Sequence, residues 1–200
     1  MSKLIFLFDL DSTITRQEIL PTVAKKIGVY DQMCDLTEST MMGEIPFKQS
    51  FLKRVELLKG IPVSEVRSIV DDIELNERLV EFIKINRDRC YIVTGNLDVW
   101  VGGLIKKLGM ENNLFCSKAL VQDDFLQNVF SVVDKNAVVS QMVVPFVAVG
   151  DGNNDAEMIS AAEVGIGYGG VRDVAPSVMD CATHVIYSEN KLVDFLQRLV

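Results

Sequence analysis

A doubly wound parallel α/β sheet, with a small helical cap inserted after the first strand, is the fold class that these 200 residues predict. Three observations carry that prediction. Short apolar runs end repeatedly in polar or glycine-rich turns, helical patterns separate the later runs, and residues from about 15 to 72 hold helical patterns with no strand run between them. Blocky strands, apolar throughout rather than at alternate positions, are the mark of a parallel sheet covered on both faces.

The first strand is the run Leu4 to Phe8. Two carboxylates, Asp9 and Asp11, come directly after it, although carboxylates are seldom buried without a partner or a cation. Next come four helical stretches, "EILPTVAKKIG", "DQMCDLTESTMMG", "PFKQSFLKRVELLKG" and "PVSEVRSIVDD". An insert at this point lies over the carboxyl end of the first strand, where open α/β sheets bind ligands. The expected division is therefore a core of residues 1–14 and 73–200 and a lid-like cap of residues 15–72.

Later strands are expected at "CYIVTGN" from Cys90, "PFVAVGDGNND" from Pro145 and "HVIYSEN" from His184. Helical patterns begin at Leu97, Lys135 and Asp155, and another closes the chain. The stretch "FCSKALVQDDFLQNVFSVV" alternates about "QDD" and reads as a hairpin. "GIGYGG", residues 165–170, matches the spacing of a dinucleotide fingerprint, but no clear buried strand precedes it and Pro176 breaks the helix that such a fingerprint should open. It reads as a flexible turn after a short strand. Met41 and Met42 are expected in the core of the cap, Trp100 on an apolar helix stripe, and His184 in a structural or surface role.

Composition excludes several classes of function. A net charge of −8, with no basic run, speaks against a nucleic acid partner. Asp9 interrupts the N-terminal apolar run far short of a membrane span, so no membrane partner is expected. The four scattered cysteines lack metal spacing and read as reduced thiols of a cytoplasmic protein. A monomer and a homodimer both fit the sequence.

In a parallel sheet the turns after successive strands converge. Asp9 and Asp11 come after the first strand, Thr94 after the second, and Asp151, Asn154 and Asp155 after "FVAVG". So many carboxylates in one cleft repel one another unless something positive joins them. All-oxygen donors of this kind suit Mg²⁺. Gly150 and Gly152, on either side of Asp151, permit a tight backbone there. Lys135 supplies a cation and Thr94 a hydroxyl, which together with the acids make a phosphoryl-transfer site. Asp9 is then the nucleophile that forms a phosphoaspartate. Asp11 protonates the leaving oxygen and later takes a proton from water. In the helix from Phe47, positions 47, 51, 54 and 58 share one face; three are apolar, and Arg54 must either reach solvent or meet an anion.

"DLDST", "VTGN", Lys135 and "GDGNND" resemble, in order and position, the four motifs of the haloacid dehalogenase-like phosphatases. "FDLDSTIT" with Glu18 after it, the helical insert, and "FKQSFLKRVELLKG" resemble its phosphoserine phosphatase branch over essentially the whole chain. The resemblance implies Mg²⁺ held by the Asp9 side chain, the Asp11 backbone carbonyl and Asp151, with Asp155 supporting the site. It implies Thr94 and Lys135 on the phosphoryl oxygens, with Asn154 nearby. It implies Arg54 on the substrate carboxylate, Glu18 near its ammonium, and Met41 and Phe47 lining the pocket. The substrate so implied is a small phosphorylated metabolite, O-phosphoserine, in serine biosynthesis. Another small phosphate ester, transfer to an alcohol acceptor, and a receiver-type phosphoswitch are the alternatives. Two features depart from the family pattern. Thr94, Gly95 and Asn96 stand where serine and two glycines are usual, so that a side chain at 96 crowds or re-polarises the pocket. The segment from Lys135 to Asp151 is also short.

Overall fold

The computed structural model describes residues 4–200, so the first three residues of the expected core segment lie outside it. Seven strands form one sheet: β1 (Ile5–Phe8), β2 (Cys90–Leu97), β3 (Leu114–Gln122), β4 (Phe125–Ser131), β5 (Phe146–Gly150), β6 (Val164–Tyr168) and β7 (His184–Ile186). Their order is β4-β3-β2-β1-β5-β6-β7, parallel throughout except for the antiparallel pair β3 and β4. Buried apolar residues cover both faces of this sheet, as blocky strands require.

The position of β1 matters most. Phe8, its last residue, is in register with Ile92 on one side and Val149 on the other. Chain order runs outward in both directions from β1, which makes its carboxyl end a topological switch point, the usual site of a ligand crevice.

Four helices come after β1: α1 (Ile19–Ile27), α2 (Tyr30–Met41), α3 (Phe47–Leu58) and α4 (Val63–Asp71). The segments entering and leaving this group run side by side. Thr15 bridges Leu75 in antiparallel fashion, Arg16 N donates to Glu74 O at 2.8 Å, and Asn76 N donates to Ile14 O at 2.9 Å. Beyond them lie α5 (Glu77–Ile85), α6 (Asp98–Leu108), α7 (Lys135–Val139), α8 (Ala156–Ser160), α9 (Pro176–Cys181) and α10 (Glu189–Leu196). Helix α4 packs along α6, where Arg67 Nη2 donates to Val99 O at 2.9 Å. Its first turn is capped from the hairpin: Asp124 Oδ1 accepts from Ser64 N at 3.0 Å. Asp123 and Asp124 both have positive φ, 50° and 67°, the two-residue turn geometry that matches strand twist.

Several expectations need correction. "GIGYGG" is not a turn after a strand, because its first four residues lie in β6, buried between β5 and β7. The glycines let α8 and α9 approach the strand closely, and they disguise it as a loop. Pro176 does not interrupt structure but begins α9, where its missing N–H costs nothing. Met42 is 59% exposed rather than in a core, since α2 ends one residue earlier. Helix α5 has no counterpart among the expected elements, although Leu79, Val80, Phe82 and Ile83 mark its buried face. Trp100 is buried, and His184 is exposed against Phe195, both as expected.

Candidate active site

Asp9 is held at the end of β1 by its backbone, whose N–H donates to Val149 O at 2.9 Å. The chain then turns tightly. Ile14 N and Thr15 N both donate to Leu10 O at 3.0 Å, and Ser12 N donates to Thr15 Oγ1 at 3.0 Å. Ser12 takes a left-handed φ of 55°, a conformation that costs a non-glycine residue roughly 1–2 kcal/mol. Asp9 and Asp11 both face the cleft that this turn opens.

Asp11 is gripped on both oxygens. Its Oδ1 accepts from Ile19 N at 2.7 Å, so it satisfies one of the unpaired N–H groups that open α1. Its Oδ2 accepts from Asn96 Nδ2 at 2.5 Å. Burial raises the Asp11 pKa, while the Ile19 N–H, Asn96, Arg54 and Arg172 oppose the rise. Asn96 Nδ2 also donates to Thr94 Oγ1 at 3.3 Å, which ties the second motif to the first. Thr94, Gly95 and Asn96 are not in a turn after β2 but inside it, at a bulge where the register with β3 shifts. A bulge re-aims side chains, and this one brings Asn96 to the cleft.

Lys135 opens α7, whose first N–H groups are capped by Asp134 Oδ1, 3.0 Å from Asn136 N. Only 4% of Lys135 is exposed, and its Nζ donates to Asp9 Oδ1 and to Asp155 Oδ1. Asp155 spends its second oxygen on the backbone of the same turn, accepting from Asp151 N at 3.0 Å and Gly152 N at 2.8 Å. It therefore supports the Asp151 turn and Lys135. Gly150 is required for this, since a Cβ there would lie 2.5 Å from Asp155 Cγ. The glycine allows close approach, not an unusual φ.

Carboxylate oxygens of Asp9, Asp151 and Asp155 lie within 4.8 Å of one another. Burial pushes the Asp9 carboxyl up to about 7, with Asp155 and Asp11 adding to the rise and Lys135 opposing it. Asp151 is raised well above the ordinary range by burial and then by Asp155, Asp9 and Asp11. Burial draws the Lys135 pKa down, but Asp155 and Asp9 more than reverse this and hold it above the usual lysine value. The cluster is short of positive charge, and its donors are all hard oxygens. Both properties fit a divalent cation of the oxygen-seeking kind.

Above the acids is a narrow cleft of about 60 Å³. Helix α3 supplies Phe47 and Arg54 to it, and α2 supplies Met41 and Thr37. Glu18, Gly95, Asn96, Asn154, Asp151 and Asp155 also line it, whereas Thr94 and Lys135 lie beneath the lining. The Arg54 guanidinium is the notable group. It is 7% exposed, stacks 5.9 Å from the Phe47 ring centre and 6.0 Å from that of Phe51, and its Nε has no hydrogen-bond partner among the described residues. No carboxylate pairs with it within 4 Å among those residues.

Arg172 is a site residue that the sequence motifs do not reveal. It lines the cleft from the loop between β6 and α9, with Nε 3.1 Å from Asp151 Oδ2 and Nη1 against Glu18. The one local signal is its place two residues past "GIGYGG", a stretch whose spacing points toward nucleotides instead.

A family model described as haloacid dehalogenase-like hydrolase matches residues 6–160. The chain belongs to that family. The phosphoserine phosphatase of Archaeoglobus fulgidus is 33% identical over 89% of this chain, which spans 56% of that relative's length. The phosphoserine phosphatase of Methanocaldococcus jannaschii is 31% identical, with 83% of this chain and 85% of the relative covered. A solved structure described as a phospho-aspartyl intermediate analogue of phosphoserine phosphatase superposes with a TM-score of 0.84 at 27% identity, covering 98% of this chain and 99% of that one. A substrate-bound phosphoserine phosphatase complex superposes with a TM-score of 0.83 at 26% identity and the same coverage. Within these hydrolases the present chain keeps an acid at Asp11, two residues after Asp9.

Proposed function

We propose that this hydrolase is a Mg²⁺-dependent phosphomonoesterase that cleaves O-phosphoserine through a phosphoaspartate at Asp9. One observation carries the substrate reading. A buried guanidinium without a carboxylate partner, Arg54, shares a cleft with the Asp9 and Asp11 pair. A ligand that brings both a phosphate and a carboxylate satisfies the whole site, and a bidentate guanidinium contact would orient it. The relatives and solved structures named as phosphoserine phosphatases support the same reading.

The residues set the order of the chemistry. An Asp9 carboxylate oxygen attacks phosphorus, and the bond from phosphorus to the ester oxygen breaks. Asp11, whose pKa is raised by burial, gives its proton to the departing alkoxide. Asp11, now a carboxylate, takes a proton from water as that water's oxygen attacks the phosphoryl group. The bond to Asp9 then breaks, which releases inorganic phosphate and restores the free carboxylate. Lys135 and Thr94 steady the phosphoryl oxygens from below the cleft, with Asn154 at its wall. Asp9, Asp151 and the Asp11 backbone carbonyl are the groups that would hold Mg²⁺, with Asp155 in support. Bound there, the ion supplies the positive charge that both the carboxylates and a phosphate lack.

On this reading residues 15–72 are a cap and the remainder the core. The paired segments at Thr15 and Leu75 support that division. Unpaired cysteines at 34, 90, 116 and 181 fit a cytoplasmic enzyme of serine formation. The test is a panel of phosphate esters with Mg²⁺. Phosphoserine should be preferred to sugar phosphates and nucleotides. A preference for either of those would overturn the substrate while leaving the phosphatase intact.

A further inference from the structure

Glu18 does not stand free in the cleft. Its Oε1 accepts from Ser12 Oγ at 3.1 Å and also contacts Arg172 Nη1. Arg172 reaches Asp151 Oδ2 with a different nitrogen, Nε at 3.1 Å, so one guanidinium spans the two carboxylates. The Arg172 and Glu18 side chains are well enclosed, 21% and 23% exposed. The loop that carries Arg172 is shaped to meet the site. A Cβ at position 170 would lie 2.1 Å from the Tyr168 hydroxyl, so only glycine lets the chain fold across Tyr168 at that point. Ala175 N then donates to Asp151 O at 2.8 Å and pins the far end of the loop to the acidic turn.

The consequence is one of charge. An ammonium that approaches Glu18 meets a carboxylate already offset by a guanidinium, and it is repelled by that guanidinium. Arg54, by contrast, is a cation without an anionic partner. The pocket therefore offers a free positive group for a carboxylate, whereas its one acid outside the catalytic cluster is taken. We infer that Arg172 is a specificity-determining residue: by cancelling Glu18 it makes the site select phosphorylated carboxylic acids without reading their amino group. The inference rests on the phosphoserine reading above and widens it to a substrate class, short phosphate esters that carry a carboxylate.

The test compares kcat/KM, at saturating Mg²⁺, for O-phosphoserine and for 3-phosphooxypropanoate, the same skeleton with hydrogen in place of the ammonium. A desolvated charge pair to the ammonium would favour phosphoserine by about 30-fold or more. Without it, the two esters should be cleaved within about tenfold of each other. A preference for phosphoserine beyond that overturns the inference and upholds the phosphoserine reading. Cleavage of neither ester, with an aryl phosphate still hydrolysed, overturns that reading and the inference with it. Arg172→Gln should uncover Glu18 and raise the preference for phosphoserine about tenfold or more. A merely structural loss would lower both rates and leave their ratio unchanged, which would remove Arg172 from the role. The wild-type ratio decides the main point even where the variant does not fold.

Discussion

Asn96 Nδ2 donates a hydrogen bond of 2.5 Å to Asp11 Oδ2, joining residues 85 positions apart in the chain. A side chain at 96 does not merely narrow the pocket. It holds the Asp11 carboxyl and helps keep its pKa from rising further. Removing it as Asn96→Ala should raise the pKa of the limb that reports Asp11. It should also lower kcat on phosphoserine by about 10- to 100-fold, the worth of a hydrogen bond to a charged group. An aryl phosphate, whose leaving group needs little protonation, should lose much less. A pH–rate profile on both substrates checks this.

Arg54→Ala should cost about 30- to 5,000-fold in kcat/KM on phosphoserine, the range for losing one partner of a desolvated charge pair. An aryl phosphate has no carboxylate to lose and should scarcely respond. Equal losses on the two would make Arg54 a structural or phosphate-binding residue.

A lysine at a helix start, as Lys135 is, is ordinarily solvated, and its loss ordinarily spares the fold. Its burial between Asp9 and Asp155 changes that expectation. Lys135→Ala leaves buried carboxylates unpaired and should destabilise the protein by about 3–5 kcal/mol, besides lowering turnover by orders of magnitude. Chemical denaturation, with and without Mg²⁺, measures the first effect separately from the second.

Metal removal should act on stability as well as on activity. The Asp9 carboxyl rises from 3.8 to about 7 on folding, and Asp151 shifts in the same direction. The folded protein thus binds protons that the unfolded chain has released. That contribution to stability is complete below the unfolded value and is lost as pH rises through about 7. The increase in Tm given by Mg²⁺ should therefore grow with pH across this window, and Asp9→Asn should raise metal-free stability at pH 8 by on the order of 2 kcal/mol. A Tm increase that does not vary with pH would contradict it. Chelation should abolish turnover, and Mg²⁺ should restore it.

Much of the fold and site is legible in the sequence. Apolar runs that end in Asp9 and Asp151 announce buried strands and the acidic turns of the candidate site together, because carboxylates are seldom buried without a partner or a cation. The helical insert and the stripe with Arg54 are local patterns, readable without the fold. Features that escape such a reading depend on contacts distant in the chain. The bulge that puts Thr94 and Asn96 inside β2 arises from pairing with β3, and the partnership of Arg172 with Glu18 spans 154 positions. Strand β6 is hidden by its own glycines, which are there to let helices pack closely rather than to turn the chain.

Hydrolysis by this route requires that Asp9 carry the phosphoryl group. Acid quenching during turnover of phosphoserine with Mg²⁺, and then peptide mass spectrometry, tests it directly. One phosphoryl group, labile to hydroxylamine, should be found on the peptide that contains Asp9 and be absent from Asp9→Asn, which should not turn over. A phosphoryl group trapped on another residue, or near-native turnover in Asp9→Asn free of deamidation, would contradict the account.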